Sequence, residues 1–285
     1  MQVRDLKGHK EKVNFVKWNT EGSILASCSV DRTIILWKSN GSFVAQLTAH
    51  TGSVNACDWL DSNILVSVSD DHKILIWNCS DESCAETIET DKVFSFVLCL
   101  SEDLIAVASN SLIEIYNMKS KSHCFSKEIE CCIKSFTWNE NRQLLAICTE
   151  NGNVMFMNAK LEEVYAVKAH PISCNSIDFH ADSFAVGSSD GSVSLWDMSE
   201  MICSTLIDFG ITSVMNLSFN GDGRIAIGLD NKEIIILDVE TKKRVEEISL
   251  KSECNSLEWS KQTNIIAFSE NSQHGNNLVS LISFK

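Results

Sequence analysis

The stretch AHPISCNSIDFHADSFAVGSSDGSVSLWDMSE, residues 169–200, is the one on which the fold turns. It opens on Ala169-His170, passes an Asp-Gly turn at Asp190-Gly191, and closes on a β-branched run that ends Trp196-Asp197. A His and an Asp at this separation fit three readings: a general-base pair, part of a metal site, or one copy of a structural repeat. The rest of the chain separates them.

Copies of the segment VSLWD (193–197) recur as IILWK (34–38), ILIWN (74–78), IEIYN (113–117), VMFMN (154–158), IIILD (234–238) and VSLIS (279–283). Their fourth residues are Trp37, Trp77, Tyr116, Met157, Trp196, Leu237 and Ile282, spaced 40, 39, 41, 39, 41 and 45 residues apart. Six positions before each stands Asp31, Asp71, Asn110, Asn151, Asp190, Asn231 or Asn276. Asp and Asn suit a tight turn because their side chains bond nearby backbone and tolerate left-handed conformations. A third landmark is a short segment ending on Trp18, Trp59, Trp138, Phe179, Phe219 or Trp259. The copy around FSFVLCL (94–100) is degenerate.

Each unit therefore predicts four short strands: apolar runs are brief, β-branched and punctuated by turns, with no helical periodicity. Four strands at a period of about 40–45 residues is the pattern of a propeller blade. The expected fold is all-β, a seven-bladed β-propeller forming a single domain over 1–285. The seventh unit ends after its third strand, and QVRDL (2–6) precedes Gly8-His9 where other units carry a fourth strand. The N-terminal strand is thus expected to complete the last blade and close the ring, which removes exposed sheet edges.

Composition narrows the function. The formal charge of −14 argues against sequence-independent nucleic-acid binding, which needs Lys and Arg to neutralise phosphates. No run approaches the roughly 20 apolar residues that span a bilayer, and no membrane association is expected. Twelve cysteines without a C-x-x-C pair point to free, buried thiols in a reducing compartment. No cofactor or metal is expected: His72, His123, His180 and His274 share no ligand spacing. Paired carboxylates such as Asp70-Asp71 and Glu162-Glu163 fall in turns and read as solvated surface.

The His of the opening stretch recurs at repeat spacing. His9, Asp31 and Trp37, then His50, Asp71 and Trp77, then His170, Asp190 and Trp196 form three sets, with Ser27 and Ser67 placed to supply a hydroxyl in the first two. A catalytic His–Asp pair is needed once, not on three separate blades. The sets read as buried polar networks that fix each turn, and the chain as non-enzymatic. This pattern resembles the WD-repeat family, in which His, Ser or Thr, Asp and Trp form a hydrogen-bonded network within a blade.

Finer features resemble one branch of that family, the third subunits of THO complexes. They are AHPISC with Pro171 (the chain's single proline), Cys203 seven residues after Trp196, DLIAVASNSLIEIYN (103–117), SLEWSKQTNIIAFSEN (256–271) and a long final spacing near NSQHGNN (271–277). The resemblance implies a nuclear, non-catalytic scaffold that couples transcription to messenger RNA export. Its partners would be a large helical THO subunit and, indirectly, a DEAD-box RNA helicase. Lys12, Arg32, Ser53, His72, Ser173, Ser213 and Glu253 are then candidates for a partner-binding face, since they lie at the His- and Asp-bearing end of the blades. Other WD-repeat adaptors remain open: a ubiquitin-ligase substrate receptor, a histone-tail reader, or a coat or nuclear-pore scaffold. The chain's WKSN, WNCS and WDMS lack the Arg that the ligase receptors place two residues after Trp-Asp.

Overall fold

A computed structural model describes residues 2–270 and 279–284. Every regular element among them is a strand. Twenty-eight strands form seven antiparallel four-stranded sheets, one per sequence repeat, and the protein is a seven-bladed β-propeller. The strand at Gln2–Leu6 pairs with the strand Val279–Ser283, from Gln2↔Ser283 to Leu6↔Val279. It supplies the fourth strand of the last blade, beside Ile265–Glu270 and Cys254–Trp259. The side chains agree: the Ser280 hydroxyl donates to Asp5 Oδ1 at 2.9 Å. The turn residue Asn276, His274 and the loop around 271–277 lie outside the described residues.

The alternation of each strand explains its place. In the second strand of each blade almost every residue is buried, as in Ile24–Ser29 and Ile64–Ser69, because neighbouring strands cover both edges and neighbouring blades both faces. The fourth strands, such as Glu163–Lys168 and Ile202–Asp208, are largely exposed. The degenerate third copy forms its first strand over only four residues, Phe96–Cys99.

The chain divides into two compact units, one comprising Met1–Ser109, Tyr116–Cys124 and Asn255–Lys285, the other Asn110–Ile115 and Phe125–Cys254. In the first unit, the first strands of blades 1, 2 and 3 lie side by side. Its core is built at the seams between blades, where Trp59 and Trp77 pack with Leu36 and Leu47, and Trp18 and Trp37 pack with Leu6 and Leu281. In the second unit, the first strands of blades 4, 5 and 6 are neighbours in the same way. There Phe156, Phe179, Phe184 and Trp196 fill the seam between blades 4 and 5.

Asn side chains link successive blades in both units. In the first, Asn255 Nδ2 donates to Val13 O, Asn14 Nδ2 to Val54 O and Asn55 Nδ2 to Phe94 O, at 3.2, 2.9 and 3.0 Å. In the second, Asn175 Nδ2 reaches Val214 O and Asn216 Nδ2 reaches Cys254 O. Asn14, Asn55 and Asn175 fall within β-bulges at the start of their strands, which re-aim the side chain along the sheet and toward the next blade.

Candidate functional site

Three blades carry the same polar network, and it begins with the turn. Asp31, Asp71 and Asp190 each precede a residue with positive φ: Arg32 at 69°, His72 at 63° and Gly191 at 85°. In the first two blades a carboxylate oxygen accepts two bonds from the incoming connection. Asp31 Oδ2 takes His9 Nδ1–H at 2.9 Å and the Lys10 N–H at 2.8 Å. Asp71 Oδ2 takes His50 Nδ1–H at 2.9 Å and the Thr51 N–H at 2.8 Å. With Nδ1 committed as donor to the carboxylate, Nε2 meets the Ser27 hydroxyl at 2.8 Å in blade 1 and the Ser67 hydroxyl at 2.8 Å in blade 2. The same hydroxyls accept the indole N–H groups of Trp37 and Trp77 at 2.9 and 2.8 Å.

Blade 5 reaches the same end differently. His170 Nδ1 donates to Asp190 Oδ2 at 3.0 Å, but the next residue is Pro171, which has no N–H to add a second bond. Asp190 is correspondingly more open, its side chain 21% exposed against 6% for Asp31. The hydroxyl is that of Ser194, at 2.8 Å from His170 Nε2 and 2.7 Å from Trp196 Nε1. Register explains the change. Ser27 lies opposite Ile35 and Ser67 opposite Leu75, whereas Val186 lies opposite Ser194. The hydroxyl has moved across one strand pair, so the sequence offset that marks Ser27 and Ser67 does not find it.

Burial opposes the charged form of Asp31, Asp71 and Asp190, yet hydrogen bonds outweigh it and hold all three below the usual carboxylate range. For Asp71 these come from Thr51 N–H and His50, and for Asp190 from Ser192 and His170. Burial pushes the His50 pKa down. Asp71 therefore departs from the solvated reading of Asp70-Asp71: its side chain is 3% exposed because it closes the network.

The candidate partner-facing residues sit at this end of their blades. Backbone bonds tie the residue before the first strand to the turn: Val30 N–H donates to Lys12 O, Asp70 to Ser53 O, Ser189 to Ser173 O and Asp230 to Ser213 O. Lys12, Arg32 and His72 in the first unit are exposed, as is Glu253 in the second. Ser53, Ser173 and Ser213 are half-buried and engaged, with Asn14, with Asn175 and with Ser189 O respectively. They serve the turn end rather than present a free hydroxyl.

The sequence does not single out a set of carboxylates on the first strands. Asp58 Oδ2 accepts the Cys99 N–H and Asp178 Oδ2 the Phe219 N–H, each at 2.8 Å, and Glu258 accepts the Trp18 N–H. Each fastens one blade to the next. In the first unit Lys17 lies between two of them, its Nζ 3.0 Å from Glu258 and 3.8 Å from Asp58. The thiols also differ from expectation. All twelve are free, but only Cys28, Cys57, Cys148, Cys174 and Cys254 are buried, while Cys124, Cys132 and Cys203 are exposed. No group of three His, Cys, Asp or Glu among the described residues is arranged to hold a metal.

Residues 1–38 and 41–78 match the WD domain, G-beta repeat family, and 136–210 and 185–262 match the WD40 domain of anaphase-promoting complex subunit 4. With seven four-stranded blades and the His–Asp–Ser–Trp network, the chain is a WD40-repeat β-propeller. Over 94% of its length it is similar to THO complex subunit 3 of Arabidopsis thaliana, at 28% identity and covering 89% of that protein. It is also similar to WD repeat-containing protein AAC3 of Dictyostelium discoideum (26% over 70% of this chain) and to nuclear distribution protein nudF of Aspergillus niger (28% over 85%). The chain spans about half the length of these two relatives, 49% and 53%.

Proposed function

We propose that the chain is a single-domain, non-catalytic scaffold subunit of a nuclear THO complex, coupling transcription to messenger RNA export. The observation that carries this reading is the extent of the similarity to the Arabidopsis subunit, 94% of one chain against 89% of the other. AAC3 and nudF match only through part of their length. The chemistry of the blades supports a scaffold. Each His–Asp pair spends its second ring nitrogen on a Ser that also accepts a buried Trp N–H, so the hydroxyl is enclosed rather than aimed at a substrate. A net charge of −14 favours docking on protein subunits, principally a large helical one, with RNA contact left to basic partners and a DEAD-box helicase.

The test is affinity purification of the tagged protein from nuclease-treated nuclear extract, followed by mass spectrometry. Recovery of helical THO subunits and a DEAD-box helicase supports the reading. Recovery of a cullin adaptor, histones or coat proteins in their place overturns it and leaves the propeller unchanged.

A further inference from the structure

Blade 4 lacks the tie that closes the turn end of blades 1, 2 and 5. Ile129 stands at the His position, nine residues before Trp138, and Asn151 replaces the Asp. The Asn151 side chain turns back to accept the Thr149 hydroxyl at 2.7 Å, and the incoming connection is held through backbone bonds, Glu150 N–H to Cys132 O and Ile129 N–H to Ser111 O. A cavity of about 830 Å³ opens there, lined by Glu128, Ile129, Glu130, Cys131, Cys132 and Glu150 together with Ser111 and Asn151. Three of the lining residues are glutamates. Glu150 pairs with Lys134 at 3.5 Å, and Lys168 bonds the Asn151 carbonyl. Among the described residues, neither Glu128 nor Glu130 pairs with a cation.

An independent feature continues from this groove within the same unit. Past the Asn151-Gly152 turn stands Ile172, 48% exposed, and a Cβ at Gly152 would collide with its carbonyl. The next blade repeats the arrangement: the Gly191 turn abuts the carbonyls of Gly210 and Thr212, and the residue between them, Ile211, is fully exposed. Met215, 43% exposed, follows beside Asn175. Aliphatic side chains held in water on consecutive turns mark a contact surface.

We infer that the turn end of blades 4 to 6 is a docking surface for one kind of partner: an extended protein segment that carries Lys or Arg beside large aliphatic residues. The cation enters the groove between Glu128 and Glu130, and the aliphatic side chains cover Ile172 and Ile211. Charge complementarity selects the occupant, because an acidic segment or a nucleic-acid backbone is repelled by the same glutamates. This inference rests on the scaffold reading, though not on membership of a THO complex.

The test uses the full chain and a fluorescein-labelled dodecapeptide of alternating Lys and Leu, read by anisotropy at about 0.15 M salt, where distant charges are screened. Glu130→Lys is expected to weaken binding about tenfold and the charge-neutral Ile211→Ser about fivefold. Glu163→Lys, an equal change of charge on the exposed fourth strand of blade 4, should leave binding within about twofold. All three positions are exposed, and unchanged thermal melts confirm folding. Equal loss in Glu163→Lys, or none in Glu130→Lys and Ile211→Ser, overturns the inference. If purification recovers no THO subunit while the peptide still discriminates these variants, the docking surface stands and the complex assignment falls.

Discussion

Replacing Ser194 by Ala removes the hydroxyl that serves both His170 Nε2 and Trp196 Nε1. Ser194 is fully buried, and His170 and Trp196 are 3% and 8% exposed, so water cannot substitute without opening the blade. Each buried polar group left without a partner costs roughly 1–3 kcal/mol, which puts the loss for the two at about 2–6 kcal/mol. For a chain of this size that is a fall in Tm of about 4–12 °C, at about 2 °C per kcal/mol. A second variant tests the geometry itself. Val186→Ser combined with Ser194→Val moves the hydroxyl to the second strand while conserving volume, reproducing the Ser27↔Ile35 pair of blade 1. Urea denaturation should place the double variant within about 1 kcal/mol of wild type, since volume-conserving core swaps are tolerated. The reasoning fails if Ser194→Ala is within about 0.5 kcal/mol of wild type, or if the double variant is no more stable than the single one.

Three other expectations follow from the same structure. The folded pKa values of Asp31, Asp71 and Asp190 are depressed, so their stabilisation is complete above about pH 4 and drains away as pH falls through the folded values; Asp71→Asn should flatten the urea midpoint between about pH 4 and 2, and an unchanged slope would refute the linkage. Arg32 sits at φ 69°, where blade 5 has Gly191, so Arg32→Gly should raise stability by about 0.5–1 kcal/mol in urea titrations, whereas a loss would show that the Arg side chain is held in place by contacts that outweigh the strain. Burial pushes the Cys57 and Cys148 thiols up, so maleimide should modify Cys124, Cys132 and Cys203 in the native protein and spare Cys57 and Cys148 until denaturant is added; peptide mapping that finds the buried pair labelled first would contradict the packing.

Much of the architecture was legible because turns and strands are set by neighbours in sequence. The Asp or Asn six residues before each third-strand landmark and the His nine before the first-strand aromatic are local signals, and the blades follow from them. What escaped was set across strands or across blades. Ser194 is invisible to a search at the Ser27 offset, because only the register shows that it faces Val186. Asn14, Asn55 and Asn175 look like ordinary polar positions at strand starts, and Asp58, Asp178 and Glu258 like the solvated half of an alternating strand. Their partners lie about 40 residues away or, for Glu258, at Trp18, at the other end of the chain. The groove of blade 4 was half legible: Ile129 and Asn151 show in the sequence that the His–Asp tie is missing, whereas Glu128, Glu130 and Glu150 meet only in the fold.

The pairing of residues 2–6 with 279–283 also has a meaning in time. During synthesis at about 5–20 residues per second, residues 2–6 wait on the order of tens of seconds for their partner strand. Until then the unfinished blade presents a bare edge, with Val279 and Leu281, buried in the finished protein, among its last residues to arrive. Closing a loop of this length is slow, because its entropy must be spent before any contact rewards it. The interval between the synthesis of residues 279–283 and that pairing is when a nascent chain of this kind is most exposed to aggregation, and when a chaperone has most to hold.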